Sequence, residues 1–143
     1  MTEVMRSSGC QERVARCECG ALQITVTAEP RHVHACTCTK CQRSSGSALS
    51  WSAWFPESAV TIQGAYLTYH FSDPVDPRKM TGFCATCGGG KFFRTGDYLS
   101  DCIGISAGSF AAADFLLPDH IHWWQDRPNW MGTPHGPHLL DGN

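Results

Sequence analysis

Nine cysteines in a chain of 143 residues, at positions 10, 17, 19, 36, 38, 41, 84, 87 and 102, constrain this sequence more than any other feature. A chain so rich in thiols uses them as disulfide crosslinks or as metal ligands. The odd count argues against a disulfide framework. The start Met1-Thr2-Glu3-Val4-Met5-Arg6 lacks the apolar core of a signal peptide, so the expected setting is the reducing cytoplasm, where thiols stay free. Seven of the nine fall into three tight groups: Cys17-Glu18-Cys19, Cys36-Thr37-Cys38-Thr39-Lys40-Cys41 and Cys84-Ala85-Thr86-Cys87-Gly88-Gly89.

A Cys-x-x-Cys turn followed by glycine points two thiolates at one ion, and a second pair from elsewhere in the chain completes a tetrahedron. Pairing Cys17 and Cys19 with Cys84 and Cys87 gives a four-thiolate zinc site. Such a site is closed, so its expected role is structural, and its binding energy is folding energy because the unfolded chain scatters the ligands. The middle group offers Cys36, Cys38 and Cys41, with no fourth Cys or His at knuckle spacing. Three protein ligands and an open position are the pattern of a catalytic zinc. The competing arrangement closes that position with Cys102, His34 or His70. The expected cofactor is therefore zinc, two ions per chain, the second being the more labile.

Ligand type narrows the chemistry further. An ion already surrounded by three anionic sulfurs is a weaker Lewis acid than one held by neutral imidazoles and activates water poorly. A substrate sulfur is its natural fourth ligand. The residues thus point to an enzyme that makes or breaks a carbon–sulfur bond between a small thiol and a carbonyl carbon.

The rest of the chain reads as one mainly β domain. Leu22, Ile24 and Val26 alternate with Gln23, Thr25 and Thr27 in the period of a half-buried strand. Further strands are expected at 33–36, 49–55, 60–63, 66–71, 80–83, 91–94, 98–106 and 120–124, with a short helix or helical turn within 107–117. Residues 1–12 and 132–143 read as flexible tails around a domain at 13–131. Asp73-Pro74-Val75-Asp76-Pro77 is the candidate for a mobile lid. With 42% hydrophobic residues the chain can bury a core, and 11 basic against 13 acidic side chains exclude the basic footprint of a nucleic-acid binder. No stretch approaches the roughly 20 apolar residues of a membrane helix. A homodimer is compatible with so small a β domain.

Among the remaining residues, Cys102 in Leu99-Ser100-Asp101-Cys102-Ile103 reads as a small core residue, and Cys10 as an exposed thiol in the tail. His34 and His70 are candidates for a proton shuttle near the open zinc, although each also reads as an ordinary strand histidine. Trp51, Trp54, Phe55, Phe71, Phe92 and Phe93 are candidate pocket walls. Trp123, Trp124 and Trp130 are candidate caps. His135 and His138 sit in the tail.

The ordered set Cys17-x-Cys19-Gly20, Cys36-x-Cys38-x-x-Cys41 and Gly82-Phe83-Cys84-x-x-Cys87-Gly88 resembles the glutathione-dependent formaldehyde-activating (GFA) family, which includes the centromere protein V relatives. Arg43-Ser44-Ser45-Gly46, Phe55-Pro56-Glu57, Phe92-Phe93-Arg94, His120-Ile121-His122 and Arg127-Pro128-Asn129-Trp130 extend the likeness from about Arg13 to Trp130. The resemblance implies a tent-like arrangement of small antiparallel sheets stapled by zinc. It implies that Cys17, Cys19, Cys84 and Cys87 hold the structural ion and that Cys36, Cys38 and Cys41 hold the catalytic one. The activity it implies is that of a carbon–sulfur lyase or synthase joining formaldehyde to glutathione as S-hydroxymethylglutathione. The chain is shorter than the enzyme that gives the family its name, and near the middle cysteines only Lys40 and Arg43 can anchor carboxylates. The thiol therefore stands as glutathione, another small thiol, or the thiol part of a different aldehyde adduct. The alternative from another class is a non-catalytic, zinc-stabilised binding module.

Overall fold

The computed structural model describes residues 11–97 and 99–143, so Cys10 and most of the N-terminal segment lie outside the described residues. In chain order the strands are β1 (Arg13–Arg16), β2 (Gln23–Val26), β3 (His32–Cys36), β4 (Ser50–Pro56), β5 (Val60–Gln63), β6 (Tyr66–His70), β7 (Met80–Cys84), β8 (Phe92–Arg94), β9 (Cys102–Ser106), β10 (His120–His122) and β11 (His138–Leu139). One α-helix, α1 (Thr39–Ser45), lies between β3 and β4. The fold is mainly β, as its alternating sequence predicts.

A small antiparallel sheet has the order β1-β2-β5, and a larger one the order β11-β10-β3-β4-β9-β8-β7-β6. Pairing is antiparallel throughout the small sheet and from β3 to β6 of the large one, whereas β10 runs parallel to β3 and β11 parallel to β10. The period of two sorts the side chains by face. Leu22, just before β2, and Ile24 and Val26 on it share one buried cluster with Val33, Ala53, Phe55, Phe92, Ile103 and Ile105 of the large sheet. The opposite face of the large sheet carries His32, His34 and Cys36 on β3, Ser52 and Trp54 on β4, and Cys102 and Gly104 on β9, placed together by register. Trp54, Leu99 and Cys102 form their own buried cluster there, with Phe93 against it. Gly104 makes room for that cluster, because a Cβ there would lie 2.5 Å from the Trp54 indole.

Local chemistry explains where strands stop short of the sequence pattern. The strand expected at 120–124 ends at His122 because Trp123 adopts φ 57°, and a 3-10 turn, Trp124–Asp126, follows. Of the stretch expected to be strand from 98, Tyr98 lies outside the described residues, the Asp97 carboxylate accepts the Leu99 N–H at 3.2 Å, and the strand begins at Cys102. The helical turn expected in 107–117 is a 3-10 turn, Ala107–Phe110, closed by Ala111 at φ 49°. α1 was not expected, since a seven-residue helix with no buried residue has no apolar stripe to betray it. Residues 132–143, which read as a tail, carry β11, and Leu140 and Gly142 accept backbone hydrogen bonds from Trp124 and Trp123 at 2.8 and 2.9 Å.

At Gly82, paired with Phe92 across β7 and β8, a Cβ would lie 2.2 Å from the Phe92 ring. Gly82→Ala is expected to lower unfolding free energy by about 1–3 kcal/mol through overpacking. Gly108→Ala, where a Cβ meets nothing within 4 Å, is expected to change it by less than about 1 kcal/mol. Urea denaturation of the two variants checks the contrast.

Candidate metal centre

Two cysteine clusters assemble from the three sequence groups. The Sγ atoms of Cys17, Cys19, Cys84 and Cys87 lie within 4.8 Å of one another, although Cys19 and Cys84 are separated by 65 positions. β1 ends one residue before Cys17, and Gly20, at φ 81°, turns the chain back so that its N–H reaches the Cys17 carbonyl at 3.1 Å. β7 ends on Cys84, and Gly88, at φ 79°, makes the equivalent turn with its N–H 3.0 Å from the Cys84 carbonyl. Each turn aims amides at sulfur. The Leu22 N–H donates to Cys17 Sγ at 3.2 Å, and the Thr86 N–H to Cys84 Sγ at 3.3 Å.

Such donors favour thiolates. The Cys87 and Thr86 amides hold the Cys84 thiol down to about 6, and the Cys19 and Gly89 amides lower Cys87 as well. Cys19 is pushed up to about 12: the Ala21 amide lowers it, but the Cys17, Cys87 and Cys84 thiols and burial outweigh that donor. The sulfur separations of 3.6 Å for Cys17–Cys19 and 3.8 Å for Cys19–Cys84 match the roughly 3.8 Å edge of a tetrahedron with metal–sulfur bonds of about 2.3 Å. The donor set fits a tetrahedral thiolate-bound ion.

The second cluster holds Cys36, Cys38 and Cys41, whose Sγ atoms also lie within 4.8 Å of one another. Cys36 is the last residue of β3, Cys38 caps the N-terminus of α1, and Cys41 sits in its first turn. Cys36 Sγ accepts the Cys38 N–H at 3.5 Å, and Cys38 Sγ the Cys41 N–H at 3.4 Å. The Cys36 thiol and, opposing burial, the Ser50 hydroxyl, the Cys38 thiol and the Lys79 ammonium hold Cys41 down to about 5, while Cys36 is pushed up by Cys41 and by burial. Among the described residues no fourth Cys, His, Asp or Glu joins this group.

The structure separates the candidates for that fourth position. Cys102 is buried beside Trp54 and Leu99, with the Arg31 guanidinium 3.7 Å from its sulfur. His70 lies on the exposed strand β6. His34 shares the face of β3 with Cys36, yet its nitrogens stay outside the sulfur cluster. Of the aromatic residues, Phe55 and Phe92 belong to the core and Trp51 packs on it, whereas Trp54 and Phe93 lie on the opposite face, toward His34. Phe71 packs against Tyr69 and Lys79. Trp124 is buried under the Arg127 guanidinium, Trp123 donates to the Asn143 side chain, and Trp130 is 78% exposed.

The Asp73–Pro77 segment, expected to be a mobile lid, is braced. Asp73 accepts the Val75 and Asp76 amides at 2.9 and 3.2 Å, and Asp76 accepts the Gly96 amide at 2.9 Å. Asp73 pairs with Lys79 at 3.9 Å, and the Lys79 ammonium also favours the ionised form of Cys41. Sequence reasoning found Lys40 and Arg43 but missed Lys79, because an electrostatic influence across 38 positions leaves no local signal. It also missed the residues that hold the loop. Thr37 is fully buried and donates its hydroxyl to the Trp123 carbonyl, while Gln42 Nε2 donates to the Thr37 and Asp126 carbonyls at 2.7 and 2.9 Å.

A mainly β domain carrying two cysteine clusters, each able to hold a metal ion, is the class this architecture defines. A family model for the glutathione-dependent formaldehyde-activating enzymes matches residues 12–127, and the chain belongs to that family. No curated protein sequence matches it.

Gln42→Ala frees the loop that carries Cys36 and Cys38 without touching any sulfur. It is expected to weaken metal retention at the three-sulfur cluster by about 10–100-fold and leave the four-sulfur cluster unchanged, as chelator competition followed by metal counting would measure.

Proposed function

We propose that this chain is a zinc-dependent carbon–sulfur lyase or synthase acting on a small thiol and an aldehyde, with glutathione and formaldehyde as the family's substrates. The observation that carries this reading is the three-sulfur cluster with no fourth protein ligand among the described residues. Cys36, Cys38 and Cys41 are its catalytic metal ligands, and Cys17, Cys19, Cys84 and Cys87 its structural ones. A cytoplasmic setting keeps all seven thiols reduced.

Zinc bound by three thiolates supplies a soft centre that favours a substrate thiol in its thiolate form. The chain's own groups prepare the site for added negative charge: the Ser50 hydroxyl and the Lys79 ammonium both favour the ionised form of Cys41. Lys40 and Arg43 project from exposed positions on α1, where an acidic thiol's carboxylates can pair with them. In the bond-forming direction the substrate sulfur donates an electron pair to the aldehyde carbon, the carbonyl π pair moves to oxygen, and a proton from solvent completes the hydroxyl. The reverse reaction breaks the same carbon–sulfur bond.

Loss of ligands separates the two clusters. Cys38→Ser is expected to abolish thiol-dependent aldehyde consumption while leaving the far-ultraviolet circular dichroism near that of the wild type. Cys84→Ser is expected to unfold the domain. Native mass spectra of the zinc-loaded protein should retain a thiol adduct that the Cys36/Cys38/Cys41 triple variant lacks. Equal unfolding of both single variants would end the division of roles, and a fully loaded protein with no thiol adduct would favour the binding module.

A further inference from the structure

Five of the seven histidines gather on one region of the large sheet, outside both cysteine clusters. His32 and His34 lie two apart on β3, and His120 and His122 two apart on β10, so each pair projects to one face. The parallel register sets His34 directly beside His120, and His120 beside His138 on β11. The ring centroids of His34 and His122 are 5.5 Å apart, and those of His120 and His122 are 6.1 Å apart. Two imidazoles on one ion, with bonds of about 2.1 Å and a tetrahedral angle, place their centroids about 5 Å apart. Those two separations lie near that spacing.

The hydrogen-bonding pattern marks two of these rings. The Nδ1 atoms of His34 and His122 are buried and have no hydrogen-bond partner. A buried polar nitrogen without a partner is costly and calls for an explanation.

We propose that His34, His120 and His122 form a third metal site, a three-imidazole centre for a borderline divalent transition ion such as zinc or nickel. An i, i+2 pair on one strand and one residue beside it on the next strand bring three imidazoles to one patch of sheet. Three neutral nitrogens suit a borderline ion better than a hard one. No three imidazole nitrogens lie within 4.8 Å of one another as the rings now stand, so binding draws them together by rotation about the side-chain torsions. The site is independent of any chemistry at the cysteines.

The test uses the full chain with its thiolate clusters loaded with zinc, and nickel chloride as the probe. Native mass spectrometry should show one nickel per chain added without loss of zinc. His120→Ala and His122→Ala should each weaken that binding by more than roughly ten-fold, whereas His70→Ala on β6 should not. Should either variant unfold, the wild type still decides. Nickel should then shift exchangeable imidazole N–H resonances of the wild type far outside the diamagnetic range. No bound nickel, nickel that displaces zinc, equal binding to the His120 and His122 variants, or the absence of shifted imidazole signals would overturn the proposal.

Discussion

The convergence of Cys17 and Cys19 with Cys84 and Cys87 is the contact on which the fold depends. The first pair sits in the turn leaving β1 of the small sheet, and the second in the turn leaving β7 of the large sheet. Their four sulfurs meet within 4.8 Å of one another beside the hydrophobic layer shared by the sheets, where a bound metal ion would tie the two together. A domain of 143 residues with many short strands gains little from each strand pair. A metal ion held by all four sulfurs would brace these turns in the folded chain alone, since the unfolded chain scatters the ligands. Gly90 shows how close the packing is: a Cβ there would stand 3.0 Å from the Cys17 Cβ.

With the sheets fixed, β3 can serve two faces. Val33 points into the shared core, while His34 and Cys36 point to the other side. Cys36 then needs only the cap and first turn of α1 to bring Cys38 and Cys41 beside it. Thr37 and Gln42 fasten that turn to the segment after β10, so the three-sulfur cluster rests on the sheet as well as on its own loop. The closed cluster is built across sequence and the open one within six residues. That difference in construction parallels the proposed difference in role.

Much of this was legible in the sequence, and the limits have physical reasons. Strict alternation at Leu22, Ile24 and Val26 announced a strand buried on one face, and all three are at most 1% exposed. The cysteine spacing announced both clusters, since ligand geometry confines thiols to short turns. What was lost depends on contacts far apart in the chain. Lys79 influences Cys41 across 38 positions of sequence, and β11 forms where β10 presents an edge to it. The histidine face was invisible for the same reason: His34 and His120 are neighbours by parallel register alone, a relation that no local pattern encodes. α1 escaped because its position is set by capping and side-chain hydrogen bonds rather than by an apolar stripe.

The central claim is that one metal is fully enclosed by sulfur and the other is not. X-ray absorption at the zinc edge, on protein carrying two zinc ions per chain, reads this directly as an average shell. The account predicts about 3.5 sulfurs and about half a lighter atom per zinc, rising to about four sulfurs when a small thiol is added. Four sulfurs before any thiol is added, or a lighter atom that persists at saturating thiol, would contradict it.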